Sequence, residues 1–217
     1  MTHIHILGGS GYAGSHLVHE AARRGHQVVS YSRNRPHHPE PGVEYRTGDL
    51  TDPVVINDAF SDADVVISAL SARGPLADED TFIELIAQAS TIARERNIRF
   101  GIIGGAGTLL THAGGTRLVD TPGFPEAARP ESLVMAAVLD WLQNHDDGRF
   151  DWFFVSPAAN FGAQAPGEAR GTYRLGGDIV LEDEEGKSEI SGPDLALAVI
   201  YEVEQPKHHR QRFTIAY

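Results

Sequence analysis

Short apolar runs alternate with helical periodicity along most of the chain, from residue 3 to residue 156. Apolar runs that end at glycine, proline or polar residues predict buried strands, whereas apolar residues spaced three and four apart predict helices. The predicted strands are 3–7, 27–31, 43–46, 64–70, 99–103 and 151–156. The predicted helices are 13–24, 52–60, 80–96 and 131–144.

Strands that alternate with helices are typical of βαβ units, whose right-handed crossovers place the strands parallel in one sheet. We therefore predict an α/β fold of the Rossmann type, with a doubly wound parallel sheet. The pattern changes near the C-terminus, where 171–175 and 179–181 flank Gly176-Gly177-Asp178 and predict a hairpin. A helix over 195–203 and a strand over 212–216 follow. We expect one domain over 1–217, in which the part from about residue 157 onward completes a substrate pocket.

Composition and charge narrow the classes of function. The chain of 217 residues is 41% apolar and 22% charged, as is usual for a globular domain. Its net charge of -12 disfavours nucleic acid and anionic membranes as partners. No cysteine is present, which excludes disulfides and thiolate sites, and the 11 histidines show no metal-ligand spacing. Neither a signal peptide nor an apolar run of membrane length is visible, so we expect a cytoplasmic protein.

A glycine-rich turn follows the first predicted strand and precedes the first predicted helix. Gly8, Gly11 and Gly14 have the spacing G-x-x-G-x-x-G. The first glycine permits a tight turn, the second lets backbone N–H groups approach a pyrophosphate, and the third allows close helix–strand packing. The helix N-terminus then presents its positive dipole end to the phosphates. This context predicts a dinucleotide site, and the alternative is a glycine-rich turn that binds nothing.

The residues after the second predicted strand indicate which dinucleotide is bound. An acidic residue there binds the ribose 2′-hydroxyl of NAD. This chain has Ser32-Arg33-Asn34-Arg35 instead, with no acidic residue before Glu40. The planar guanidinium of Arg33 can pair with a 2′-phosphate, so the sequence favours NADP(H) over NAD(H). The alternative is a surface arginine in a loop.

Several segments together resemble a known group of proteins. Gly8–Gly14, Ser32-Arg33, Gly48–Leu50, Ser68-Ala69 and Gly104–Gly107 resemble the atypical short-chain dehydrogenase/reductase superfamily. The stretches GGAGTL, DTPGFPEAARPE, DWFFVSPA, GTYRLGGD and ISGPDLA look most like its bacterial flavin-reductase-like branch, whose members bind NAD(P)H. That branch is related to biliverdin reductase B and to NmrA-like proteins. The resemblance covers nearly the whole chain.

The resemblance implies a set of cofactor-binding residues, each placed where the motif matches. The phosphate loop is Gly8, Ser10, Gly11, Tyr12 and Gly14, and the 2′-phosphate residue is Arg33. The adenine neighbours are Asp49 and Leu50, and Ser68, Ala69 and Leu70 lie along the cofactor. Gly104, Gly105 and Ala106 match the segment after the fifth strand, near the nicotinamide, and Pro157 matches the segment after the sixth strand.

The chain departs from the superfamily at the usual catalytic pair, Tyr-x-x-x-Lys. Its only two lysines are Lys187 and Lys207, and the residues four positions earlier are Asp183 and Val203. A carbonyl reductase or epimerase mechanism that needs this pair is therefore not expected. Hydride transfer to a flavin or quinone needs no such pair, because solvent can supply the proton and the protein positions the reactants.

Candidate acceptor residues lie in the loops that follow the late strands. Phe124, Asn160 and Phe161 are candidates to contact a planar acceptor, and the alternative for each is a packing or turn role. His112 is the candidate proton donor, and the alternative is a solvent-facing loop histidine.

These observations predict an NAD(P)H-dependent reductase that prefers NADPH and reduces a flavin, a quinone or another small planar acceptor. The alternative is a redox sensor of the NmrA-like type, which binds NADP(H) without turnover. An epimerase that uses the bound cofactor is a third hypothesis. The sequence is compatible with a monomer or a homodimer.

Overall fold

A computed structural model describes residues 1–217 and contains eight strands and five α-helices. The strands are β1 (His3–Leu7), β2 (Gln27–Ser32), β3 (Glu44–Thr47), β4 (Val65–Ser68), β5 (Arg99–Ile103), β6 (Trp152–Pro157), β7 (Arg174–Gly176) and β8 (Gln211–Ala216). The helices are α1 (Tyr12–Arg23), α2 (Pro53–Ala59), α3 (Glu79–Arg96), α4 (Arg129–Asn144) and α5 (Gly192–Glu204). The six predicted parallel strands are all present, with ends displaced by no more than two residues.

All eight strands form one sheet in the order β3-β2-β1-β4-β5-β6-β8-β7. Every neighbouring pair is parallel except β7 and β8. The first six strands have the order of a dinucleotide-binding Rossmann fold, so the predicted fold class is confirmed. From β1 the chain adds β2 and β3 on one side, and it then crosses to add β4, β5 and β6 on the other side. The order of strands therefore reverses between β1 and β4, and this reversal opens a crevice at the carboxyl ends of these two strands.

Helices cover both faces of the sheet. Because successive side chains of a strand point to opposite faces, β4 contributes Val66 to one core and Val65 and Ile67 to the other. The first core is completed by α2, α3 and α4, and the second by α1 and α5. None of the helices combines the length and the apolar character needed to cross a membrane.

The predicted hairpin of 171–175 with 179–181 is wrong. Residues Arg174–Gly176 pair antiparallel with β8 instead, and Ile179 forms an isolated bridge with Leu110. The local Gly-Gly-Asp sequence favours a tight turn, but the free edge of β8 offers a row of backbone partners that a two-strand hairpin lacks. The segment after β7 therefore continues to the loop that follows β5. The helix predicted next to it is present as α5.

Candidate dinucleotide-binding site

The carboxyl ends of β1, β2 and β4 and the loop after β3 surround a cleft of about 290 Å³. Eight of the residues predicted to bind the cofactor line it: Gly8, Ser10, Gly11, Arg33, Asp49, Leu50, Ala69 and Leu70. The cleft lies at the reversal of strand order, where ligands bind in open α/β sheets. Its lining includes the residues predicted to lie beside the phosphates and the adenine of a dinucleotide.

The glycines of the loop are required by geometry. Gly8 has a φ of +82°, which side chains rarely adopt. A Cβ atom on Gly9 would lie 2.1 Å from Ser30 Oγ, and one on Gly14 would lie 2.2 Å from the carbonyl oxygen of Gly8. Side chains at these positions would therefore fill the space in which the turn and the helix meet. The loop keeps the shape that the G-x-x-G-x-x-G spacing predicts.

The start of α1 leaves several backbone donors without an acceptor. Its N-cap is Gly11, which provides no side-chain hydrogen bond, whereas Asp78 and Ser191 cap α3 and α5. The first helical bond runs from Ser15 N to Gly11 O at 2.8 Å. The N–H groups that remain without an acceptor in the protein are those of Ser10, Tyr12, Ala13 and Gly14. Together with the helix dipole, these donors fit the anionic phosphates of a dinucleotide.

Arg33 and Asp49 bring opposite charges to the outer part of the cleft. Arg33 is exposed, and its guanidinium makes no hydrogen bond or ion pair within the protein. The Asp49 carboxylate accepts hydrogen bonds from Thr51 N at 3.0 Å and from Thr51 Oγ1 at 2.8 Å. These two bonds, with a smaller contribution from Arg33, lower the pKa of Asp49. A guanidinium without a protein partner is free to bind a phosphate.

The cleft is also lined by Ser32, Asn34 and Gly48, which are neighbours of predicted site residues, and by four residues that the sequence did not indicate, namely Ser71, Arg73, Pro75 and Leu76. Arg73 is the notable one, because it adds a second guanidinium to the cleft. Its Nε donates to Glu131 Oε2 on α4 at 2.7 Å. The last three residues belong to a short turn of 3-10 helix at Gly74–Leu76 or precede it. Pro75 indicates a turn in the sequence, but the segment has no apolar periodicity from which its position in the fold could be predicted.

Four other residues predicted to bind the cofactor follow the next strands along the sheet. Gly104, Gly105 and Ala106 come directly after β5, and Pro157 is the last residue of β6. A Cβ atom on Gly104 would lie 2.0 Å from the ring of Phe154, so this glycine permits packing within the sheet. Nothing lies within 4 Å of the corresponding position on Gly105, so the space on that side of its backbone is open, while its carbonyl accepts a hydrogen bond from Thr108 Oγ1 at 2.9 Å. Ser68, in contrast, is buried inside β4 and does not line the cleft.

The three candidate acceptor residues lie in three different settings. The Phe161 ring packs edge-on against Tyr12 of the glycine loop, with 5.4 Å between centroids. The Asn160 amide donates to Glu189 Oε1 at 3.1 Å and lines a second cavity of about 280 Å³. Phe124 lies beneath the guanidinium of Arg129 in the loop after β5, 5.7 Å from its ring centroid. Contact of these residues with an acceptor stays a prediction.

His112 is exposed and does not line the dinucleotide cleft. Its Nδ1 lies 3.0 Å from Thr111 Oγ1, and its carbonyl accepts from Gly115 N at 2.9 Å in a turn. Its role as a proton donor also stays a prediction. No group of three or more acidic or histidine side chains is arranged to hold a metal ion.

Comparison with known proteins shows which family the chain belongs to. The model of the NAD(P)H-binding family matches residues 8–206. A solved structure from Streptococcus pneumoniae, provisionally described as an NADH-flavin reductase, is 32% identical, with a TM-score of 0.87 over 100% of this chain and 99% of that one. One from Bacteroides thetaiotaomicron, provisionally described as an epimerase, is 33% identical, with a TM-score of 0.87 over 100% and 97%. A protein from Burkholderia pseudomallei, provisionally described as exported, is 37% identical, with a TM-score of 0.85 over the full length of both chains.

Proposed function

Because the chain belongs to the NAD(P)H-binding family, we propose that it is an oxidoreductase that prefers NADPH and reduces a flavin, a quinone or another small planar acceptor. The observation that carries the NADPH preference is the unpaired guanidinium of Arg33 in the cleft. No acidic side chain follows β2 to bind a ribose 2′-hydroxyl. The relative described as an NADH-flavin reductase supports a planar acceptor.

The chain's own residues bind and orient the reactants in this proposal. The free N–H groups at the start of α1 hold the pyrophosphate, and Arg33 holds the 2′-phosphate. The open backbone at Gly105 lies beside the nicotinamide, and the loop that carries Phe124 excludes water from the acceptor. When bound, the reduced cofactor supplies both electrons of a C–H bond as a hydride, and the reduced acceptor takes its proton from water. Positioning by the protein therefore accounts for the rate.

Calorimetric titration of NADPH and NADH into the wild type, Arg33→Ala and Arg35→Ala tests the cofactor preference. Arg33→Ala removes the charged pair with the 2′-phosphate, so it should weaken NADPH binding by about 1.5–3 kcal/mol and leave NADH binding nearly unchanged. The matched control is Arg35→Ala, because Arg35 lies two residues further along, faces the ring of Tyr45 and does not line the cleft. An equal loss of NADPH binding in both variants would rule out a specific role for Arg33.

Oxidation of NADPH in the presence of FMN or a quinone, followed by absorbance, tests the reaction. Turnover that saturates with the acceptor supports the proposed reductase. Tight NADPH binding without turnover on any flavin or quinone contradicts it.

The missing Tyr-x-x-x-Lys pair also fits a second candidate function, a redox sensor that binds NADP(H) without turnover. A sensor must bind NADPH and NADP+ with clearly different affinities, because only a difference in affinity can shift a conformational equilibrium. Equal affinities would exclude it. An epimerase, the description given to the Bacteroides relative, would retain its nucleotide tightly through purification.

We place this reaction in the cytoplasm, in a monomer or homodimer, with no nucleic acid or membrane as partner. The net charge of -12 supports the absence of nucleic acid and membrane partners, since a negatively charged protein repels polyanions. Cell fractionation tests the location, and the relative described as exported makes that test worthwhile.

A further inference from the structure

A buried arginine ties the C-terminal strand to the loop after β5. The side chain of Arg212, on β8, is only 6% exposed. Its Nη1 donates to the backbone carbonyl of Thr108, and its Nε and Nη2 donate to Asp178 Oδ1 at 2.9 and 2.6 Å. A forked guanidinium can bond a carbonyl and a carboxylate at once, which the ammonium of a lysine cannot match in geometry.

The two segments held by Arg212 are also bonded to each other. Leu110 N donates to the carbonyl of Asp178 at 2.8 Å, and Val180 N donates to the carbonyl of Leu110 at 2.9 Å. On the other side, Thr108 Oγ1 lies 2.7 Å from Ser156 Oγ on β6. The segment between β5 and Leu110 is therefore fixed to β6, to β8 and to the loop at Asp178. This segment includes Gly104, Gly105 and Ala106.

We propose that Arg212, with Asp178, is a positioning residue for the reaction, which holds the Gly104–Leu110 segment in the place required at the nicotinamide end of the site. The proposal rests on the proposed function of the cleft. Neither residue lines that cleft, so neither contacts the adenosine half of the cofactor. Loss of the hydrogen bonds from Arg212 to Thr108 and Asp178 displaces the nicotinamide and leaves the adenosine half of the cofactor in place. A displacement of about 1 Å at reacting atoms can cost roughly 100-fold in rate.

The test compares Arg212 with a second buried arginine, Arg99, which does not bond to the Gly104–Leu110 segment. Arg99, 8% exposed, lies at the amino end of β5 and donates to Glu202 Oε1 at 2.7 Å and to Asp151 Oδ2 at 3.0 Å. Arg99→Lys is therefore the control for the loss of stability that Arg212→Lys also causes. Asp178→Ala is the second variant. The Asp178 side chain is 62% exposed, so its removal leaves no buried cavity, but it takes the carboxylate away from the buried Arg212 guanidinium, and the melting temperature of this variant is therefore measured with the others.

The measurements are kcat with NADPH and FMN, the isotope effect with NADPH deuterated at C4, and the affinities for NADPH and for adenosine 2′,5′-bisphosphate, which lacks the nicotinamide. Arg212→Lys and Asp178→Ala should lower kcat roughly tenfold or more and raise the isotope effect. Their affinity for the bisphosphate should stay within about twofold of the wild type. Arg99→Lys should keep the wild-type kcat, whatever its melting temperature.

Unchanged kcat in Arg212→Lys and Asp178→Ala would overturn the proposal, as would losses in Arg212→Lys and Arg99→Lys that follow the melting temperature alone. A wild-type protein that binds NADPH but reduces nothing contradicts the proposed reductase instead. In that case the affinities of Arg212→Lys and Asp178→Ala test the role of Arg212. Weaker binding of NADPH with unchanged binding of the bisphosphate supports the positioning role, and unchanged binding of both ligands overturns it.

Discussion

The first turn of α1 lies directly on the end of β1, where Gly14 contacts the backbone of Gly8. A Cβ atom on Gly14 would lie 2.2 Å from Gly8 O and 2.8 Å from Gly9 Cα. Both neighbours are backbone atoms, so no side-chain rotation can relieve the overlap. The contact holds the unbonded N–H groups at the start of α1 at the carboxyl end of the sheet, next to the cleft.

Gly14→Ala should therefore damage both the fold and the site. Forcing a methyl group into this contact should lower the free energy of unfolding by about 1–3 kcal/mol. The helix must also shift away from the strand, so NADPH and NADH should both bind more weakly. Urea unfolding and calorimetry measure the two effects. Gly123→Ala is the control, because nothing lies within 4 Å of its Cβ position. Wild-type nucleotide affinity in Gly14→Ala would contradict this account.

The parallel part of the fold could be predicted from the sequence because its elements are local. The strands 3–7 and 99–103 were predicted with the ends that the structure shows, since each is a short segment with apolar residues that a glycine ends. The pairing of β7 could not be predicted in this way. Its partner β8 begins 35 residues later, and nothing in residues 171–181 indicates that the preferred partners are β8 and Leu110 rather than each other.

The part of the candidate site that directly follows the strands could also be predicted from the sequence, because local elements determine its position. The rule that ligands bind after the strands selects Gly8, Arg33, Asp49 and Leu70, all of which line the cleft. It does not select Arg73, which lies five residues after the end of β4, caps a short 3-10 turn and lines the cleft. Such a turn depends on packing between distant segments and has no periodic pattern.

Phe161→Ala should weaken nucleotide binding, although Phe161 was predicted to contact the acceptor. Its ring supports Tyr12, whose hydroxyl also donates to the carbonyl of Pro166 at 3.1 Å. An edge-to-face aromatic pair contributes about 0.5–1.5 kcal/mol, so the Kd for NADPH should rise roughly 2- to 10-fold. Phe124→Ala is the control and should leave this Kd unchanged. If Phe161→Ala has the same effect in a Tyr12→Leu background, the contact with Tyr12 is not the cause.

Arg129→Met should loosen the loop after β5 and impair use of the acceptor. The Arg129 guanidinium donates to the backbone carbonyls of Val119, Thr121 and Phe124, and therefore holds three points of this loop. Without these bonds, amide hydrogen exchange over 118–125 should become faster. The KM for FMN should rise several-fold while the KM for NADPH stays constant, since the dinucleotide cleft does not include the loop. The exposed Arg149, changed to Met, is the control. A rise in the KM for NADPH alone would contradict a role in the acceptor site.

Asp194→Asn should remove part of the acid sensitivity of the fold. Asp194 is 2% exposed, and its carboxylate accepts hydrogen bonds from Arg170 N at 2.7 Å, Gly171 N at 2.9 Å and the hydroxyls of Ser191 and Tyr217. Burial alone would raise the pKa of Asp194, but these four bonds outweigh burial and lower it. The carboxylate therefore stabilises the fold fully at pH values above its unfolded pKa of about 3.9, and this contribution is lost as the pH falls through the lower pKa of the folded state.

Urea unfolding between pH 3 and pH 7 measures this contribution. At pH 7 the free energy of unfolding of Asp194→Asn should be lower than that of the wild type by about 1–3 kcal/mol, because the amide leaves buried donors without an ionised acceptor. The difference should narrow below about pH 4, where the wild type alone loses the contribution of the carboxylate. Glu184→Gln, in the exposed acidic run, is the control and should follow the wild type within about 0.5 kcal/mol at pH 7. A difference that stays constant down to pH 3 would show that ionisation of Asp194 is not what stabilises this part of the fold.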